Sequence, residues 1–123
     1  TEIDITAQTG IKSLDVTIDC DNLDARELGT MGIPARFDLC NIEGFEDTNG
    51  TMHPAEDVRE KISALGFPIE DAVKDKSSIR LKIDKMFTGL LTGFPGNNNF
   101  ILTVTENNGL STTKTLKYYV PAN

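Results

Sequence analysis

Asp19, Asp21 and Asp24, in the run Asp-Cys-Asp-Asn-Leu-Asp, are the residues of this 123-residue chain that most resemble a cation site. Carboxylates at alternate positions open a helix–loop–helix calcium loop, which needs oxygen ligands at positions 1, 3 and 5, a Gly at 6 and a Glu at 12. Counted from Asp19, Leu23 falls at position 5, Asp24 in the glycine position and Thr30 in the last, so the pattern fails at three places. The same residues read as a strand running into a helical turn. Asp19 ends the outward row of the strand, Asp21 or Asn22 caps the turn, and Asp24 lies in its first turn, where the helix dipole favours negative charge. Glu43, Glu46 and Asp47 form a second acidic cluster. Calcium at the three aspartates stays open to test; the expectation is no metal and no cofactor.

His53 is the single histidine and stands immediately before Pro54. Zinc would need Cys or His partners at ligand spacing, and no CxxC or HxxxH pair occurs. Cys20 or Cys40 with His53 could formally supply a nucleophile and base, but Cys20 falls on a strand's apolar face, where a thiol is inert. GxSxG, P-loop and GxGxxG motifs are absent. A non-enzyme is expected. One bridge could join the two cysteines and would contribute roughly 3 kcal/mol. Alternation instead sends Cys40 to the face opposite Phe37 and Leu39, and two free thiols are expected. Asn49-Gly50-Thr51 matches a glycosylation sequon and is read as a turn. For sugar binding, which uses exposed aromatic faces, the candidates are Tyr119, outward on its strand, Ile101, outward on the neighbouring strand, and Phe94 in the loop 92–99.

The elements that position these residues follow from hydrophobic period. Ile3, Ile5 and Ala7 alternate, as do Leu14, Val16 and Ile18, with Thr9-Gly10 as the turn between. Phe100, Leu102 and Val104 alternate, Asn107-Asn108-Gly109 tolerates positive φ, and Leu116, Tyr118 and Val120 alternate again, which predicts a β-hairpin. Ile79, Leu81 and Ile83 mark another strand, and ARFDLCN a short one. Pro54 opens a helix over about 54–65, with Glu56 and Asp57 in its first turn, the stripe Val58, Ile62, Leu65, and a stop at Gly66 and Pro68. Shorter helical turns are expected at NLDARELG and KMFTGLLTG. The stretches 43–53 and 92–99 read as loops.

This order of elements predicts a mostly β fold: an antiparallel immunoglobulin-like sandwich with one amphipathic helix and short helical turns in its connections, as a single domain over 1–123. In that arrangement the second strand would pair with SSIRLKID, setting Asp15 and Asp19 opposite Arg80 and Lys82. Each such pair is worth roughly 0.2–1 kcal/mol. The net charge of −7 is uneven: residues 1–71 hold 16 acidic and 5 basic side chains, giving −11, and residues 72–123 hold 3 and 7, giving +4. An acidic chain argues against nucleic acid and anionic membrane as partners. No apolar run reaches the ~20 residues a membrane-spanning helix needs, so no direct membrane insertion is expected. A monomer is the expectation.

The closing hairpin, FILTVTENNGLSTTKTLKYYV, resembles the last two strands of PKD-like and immunoglobulin-like extracellular modules. Together with GIKSLDVTI, LGTMGIPARFDLCN, ISALGFPIEDAVKDKSSIRLKI and FTGLL, in that order, the chain is similar to a β-sandwich domain of cell-surface lipoproteins of gut Bacteroidetes. The resemblance covers nearly the whole chain, and its motifs are turns, inward rows and helix ends. It implies an extracellular location at the bacterial cell surface, in an outer-membrane lipoprotein. It also implies a non-catalytic role as spacer or interaction domain toward glycan or a surface protein, with carbohydrate binding through an exposed aromatic platform as the alternative.

Overall fold

The computed structural model describes residues 2–82 and 93–121. The chain is mostly β, with antiparallel sheets and few helices. In chain order it runs β1 (Glu2–Thr6), β2 (Ile11–Cys20), α1 (Ala25–Thr30), β3 (Arg36–Asp38), β4 (Phe45–Glu46), β5 (Met52–His53), α2 (Ala55–Ala64), β6 (Ser78–Lys82), β7 (Gly96–Glu106) and β8 (Ser111–Val120). One sheet has the order β3-β2-β7-β8, a second pairs β1 with β6, and a small third pairs β4 with β5.

Alternation decides what each strand buries. Leu14, Val16 and Ile18 of β2 lie beside Val104, Leu102 and Phe100 of β7 in register, and all six are buried. Ile11, out of phase with that row, is buried as well because the register shifts between Ile11 and Ser13. A bulge of this kind turns an odd position to the even face. Ile5 of β1 and Leu81 of β6 belong to the same core as the large sheet's inner row. α2 contributes Val58 and Ile62, both at 0% exposure, with Leu65 packed beside them as the stripe predicts. Phe37 of β3 meets Phe67, just beyond α2, edge-on at 5.8 Å between ring centres.

Several expectations need correction. Of SSIRLKID, the described strand Ser78–Lys82 pairs with β1 and not with β2: Asp4 lies opposite Arg80 and Ile5 opposite Ile79. The acidic and basic halves of the chain therefore meet through Asp4, whose carboxylate takes the Arg80 Nε at 2.8 Å. Asp15 instead faces Asp38 on one side and Thr103 on the other, and Asp19 faces Asn99. β2 leaves the small sheet because Gly10 turns the chain: its φ of +94° suits glycine, and a Cβ there would stand 2.7 Å from the Asn107 amide nitrogen. The stretch 43–53 is a hairpin and not a loop, with Phe45 opposite His53 and Glu46 opposite Met52. β7 begins at Gly96, so Asn97, Asn98 and Asn99 belong to the ladder and not to a loop 92–99. Both thiols are free, as expected. The helical turn expected at KMFTGLLTG, up to Thr92, and the inward Ile83 lie outside the described residues.

Candidate functional site

The outer face of the four-stranded sheet is built by the other half of each alternation. Across β2, β7 and β8 the rows read Asp15, Thr103, Thr113; then Thr17, Ile101, Thr115; then Asp19, Asn99, Lys117; with Asn97 beside Tyr119 at the end. Neighbours in a row stand about 5 Å apart. Hydroxyls bridge β7 and β8 along this face: Thr103 Oγ1 and Thr113 Oγ1 are 3.2 Å apart, and Thr105 Oγ1 and Ser111 Oγ 3.1 Å. Tyr119 is the large apolar surface here, 65% exposed, whereas Tyr118 turns inward against the core.

Of the three candidates, Tyr119 and Ile101 share this face and Phe94 does not. Ile101 sits two rows from Tyr119, about 14 Å along the strands, with the Asn99–Lys117 row between. Phe94 packs against the core, and its carbonyl accepts from the Asn98 amide at 3.3 Å. The sequence reading missed Asn97 and Asn99 as members of the face, because asparagine is rare in strands and common in loops. Asn97 is held there by Asp21: its backbone N–H donates to Asp21 Oδ2 at 2.9 Å, and the Asp21 N–H donates to the Asn97 carbonyl. Gly96, at φ +106°, makes room, since a Cβ would stand 2.8 Å from Asp21 Oδ2.

The three aspartates are thus spread over separate duties. Asp19 is exposed on the sheet, Asp21 is tied to Asn97, and Asp24 is itself the N-cap of α1, accepting the Glu27 N–H at 2.9 Å. The expected cap at Asp21 or Asn22 is displaced to Asp24 because the ladder continues through Asp21. Among the described residues no three His, Cys, Asp or Glu side chains are grouped as a metal would require.

The small hairpin holds a second arrangement that sequence reading passed over. Asp47 opens the tight turn and its Oδ1 accepts the N–H groups of Asn49 and Thr51, at 2.9 and 3.0 Å, so the sequon triplet is a turn as expected. Its Oδ2 lies 2.9 Å from His53 Nε2. His53 also stacks on Phe45, with ring centres 4.8 Å apart and planes 17° from parallel. These hydrogen bonds, His53 first, hold the Asp47 carboxyl below its usual value. The Asn-Gly pair at 49–50 marked only the turn; strands of two residues carry too little alternation to show in sequence.

Cys20 and Cys40 are half-buried, and burial pushes both thiols up to about 11. Asp19 beside Cys20 and Asp38 beside Cys40 add to the effect. Neither is a thiolate at neutral pH, so neither is poised as a nucleophile. Compared with protein-family models, with curated proteins and with solved structures, the chain matches none.

Proposed function

We propose that this domain is a non-catalytic interaction module of an exported bacterial surface protein, and that it takes glycan on the outer face of the sheet β3-β2-β7-β8. The observation that carries this reading is Tyr119: an aromatic ring 65% exposed, at the end of a solvated strand face, with Asn97 directly across and Lys117, Asn99 and Asp19 in the adjoining row. A pyranose ring offers one face of C–H groups and an equator of hydroxyls. A tyrosine face suits the first, and carboxylate, amide and ammonium groups at strand spacing suit the second. Ile101, two rows away, would lie under a further sugar unit of an extended chain.

The strand order supports the immunoglobulin-like part of the reading. β3-β2-β7-β8 corresponds to the C′-C-F-G sheet of such a sandwich, and β1-β6 to its B-E pair. On this assignment β1, and not the second strand as expected, takes the B position beside β6. The surface location rests on the resemblance of the hairpin and helix ends described above.

The test is a glycan array probed with the wild-type domain and with Tyr119→Ala. The wild type should retain one glycan class, and the variant should lose roughly five- to 150-fold in retention, since losing a stacked ring costs about 1–3 kcal/mol. Its melting temperature should change little, because the ring is exposed. Equal retention by both proteins, or none by either, rejects the reading.

A further inference from the structure

A groove of about 830 Å³ runs between the turn that ends α1 and one side of α2, remote in sequence from the Tyr119 face. Asp57, Glu60, Lys61 and Ala64 recur at i, i+3, i+4 and i+7, so a single stripe of α2 forms one wall. The opposite wall is Thr30 to Ile33, and Leu65 closes the apolar part with Met31, Ile33 and Ala64. His53 also lines the groove. Its Nδ1 lies against Gly32, 3.7 Å from where a Cβ on that glycine would stand.

The orientation of His53 gives the groove a defined chemistry. Asp47 is an acceptor at Oδ2, so the proton of a neutral imidazole sits on Nε2 and donates to it, which leaves Nδ1 as an acceptor. Nδ1 makes no hydrogen bond with any described residue. The ring is fixed from three directions: the Asp47 carboxylate, the Phe45 face and the wall at Gly32. The Thr30 hydroxyl is already spent, donating to the Glu27 carbonyl at 2.7 Å. Asp57 and Glu60 bring two negative charges to the rim against one positive charge from Lys61, whose stem lies along Gly32. An apolar trough with an oriented ring-nitrogen acceptor and a net negative rim complements one ligand class: an alkyl chain ending in an ammonium group.

We infer that this groove binds a small free primary alkylamine, its ammonium donating to His53 Nδ1 beside Asp57 and Glu60 and its chain lying over Met31, Ile33 and Leu65. A carboxylate ligand would face the two acids, and a neutral alcohol would gain nothing from them. The site is independent of the glycan face, and either could fail without the other.

The experiment is an NMR titration of the full chain at pH 8, following the His53 imidazole nitrogens and the Met31 methyl, with n-hexylamine, n-hexanol and hexanoate as probes. Hexylamine should move both signals, with hexanol at least tenfold weaker and hexanoate without effect. That factor is the loss of a charge-assisted hydrogen bond. In the surface variant Asp57→Asn/Glu60→Gln, hexylamine affinity should fall about tenfold while hexanol is unchanged. His53→Gln should weaken hexylamine more than it weakens hexanol. Hexylamine and hexanoate acting alike, or shifts confined to surface carboxylates with His53 and Met31 unmoved, would overturn the inference. A capped lysine, Nα-acetyl-lysine methylamide, binding more tightly than hexylamine would also overturn it, in favour of a peptide lysine as occupant.

Discussion

At the scale of single residues, position in the ladder decides what a reactive-looking side chain is for. Cys20 ends β2 and Cys40 follows β3; burial and a neighbouring aspartate raise each thiol from 9.0 to about 11. A raised value favours the protonated thiol in the folded chain. Its contribution to stability is complete below pH 9 and is lost as pH rises from there through about 11. Alkylation of the folded protein should therefore show a midpoint near pH 11 at both sites. At pH 8 it should run far below the rate of the unfolded chain, with about a hundredfold less thiolate; equal rates in native buffer and denaturant would contradict this. Asp24 was recognisable as belonging to a helix start, but its role as the cap was not, because that depends on β2 continuing through Asp21 to Asn97. Replacing Asp24 by Ala should cost about 1 kcal/mol, read as a lowered denaturant midpoint with unchanged slope.

At the scale of elements, local pattern reports faces well and partners poorly. The inward rows of β2, β7 and β8, the stripe of α2 and the closing turn were all legible, since each is set by a period of 2 or 3.6 within one segment. The pairing of β6 with β1 was not, because β1 and β2 carry the same alternation and either could meet SSIRLKID. What separates them is the turn at Gly10. There Ala7 and Ile11 donate to the carbonyls of Ser77 and Lys76, and the Gly10 carbonyl accepts the Asn107 N–H. The outer face was half legible: Tyr119 and Ile101 follow from alternation, while Asn97 and Asn99 enter only through the long-range ladder to Tyr119, Asp19 and Lys117. Gly10→Ala should cost roughly 1–3 kcal/mol, from the positive φ and from the displaced Asn107 amide. Thermal melting checks it, and a loss below 0.5 kcal/mol would show that the turn is not what fixes the crossover.

At the scale of the whole molecule, the two ends of the chain depend on each other. The tip of the β7–β8 hairpin is fastened to the β1–β2 turn: Glu106 Oε1 accepts the Thr9 N–H at 3.0 Å, and the Asn107 amide donates to the Thr9 carbonyl at 3.0 Å and to Asp75 Oδ1 at 3.1 Å. Lys114 of β8 reaches the Asp4 carbonyl of β1 at 3.1 Å. The central ladder, β2 with β7, joins Ile11 to Glu106 and Cys20 to Asn98. A chain built this way has a history in its manufacture. As this segment emerges in N-to-C order, β2 has only the three residues of β3 to pair with until β7 follows, and β1 waits for β6. The apolar rows of the first half stay unsatisfied until nearly the last strand is made. Folding of the domain should wait until β7 and β8 are both available and then take milliseconds to seconds, as expected where distant pairings dominate. Chains arrested after residue 95 should remain protease-sensitive, whereas protection of those arrested chains would mean that the first half folds without its partner.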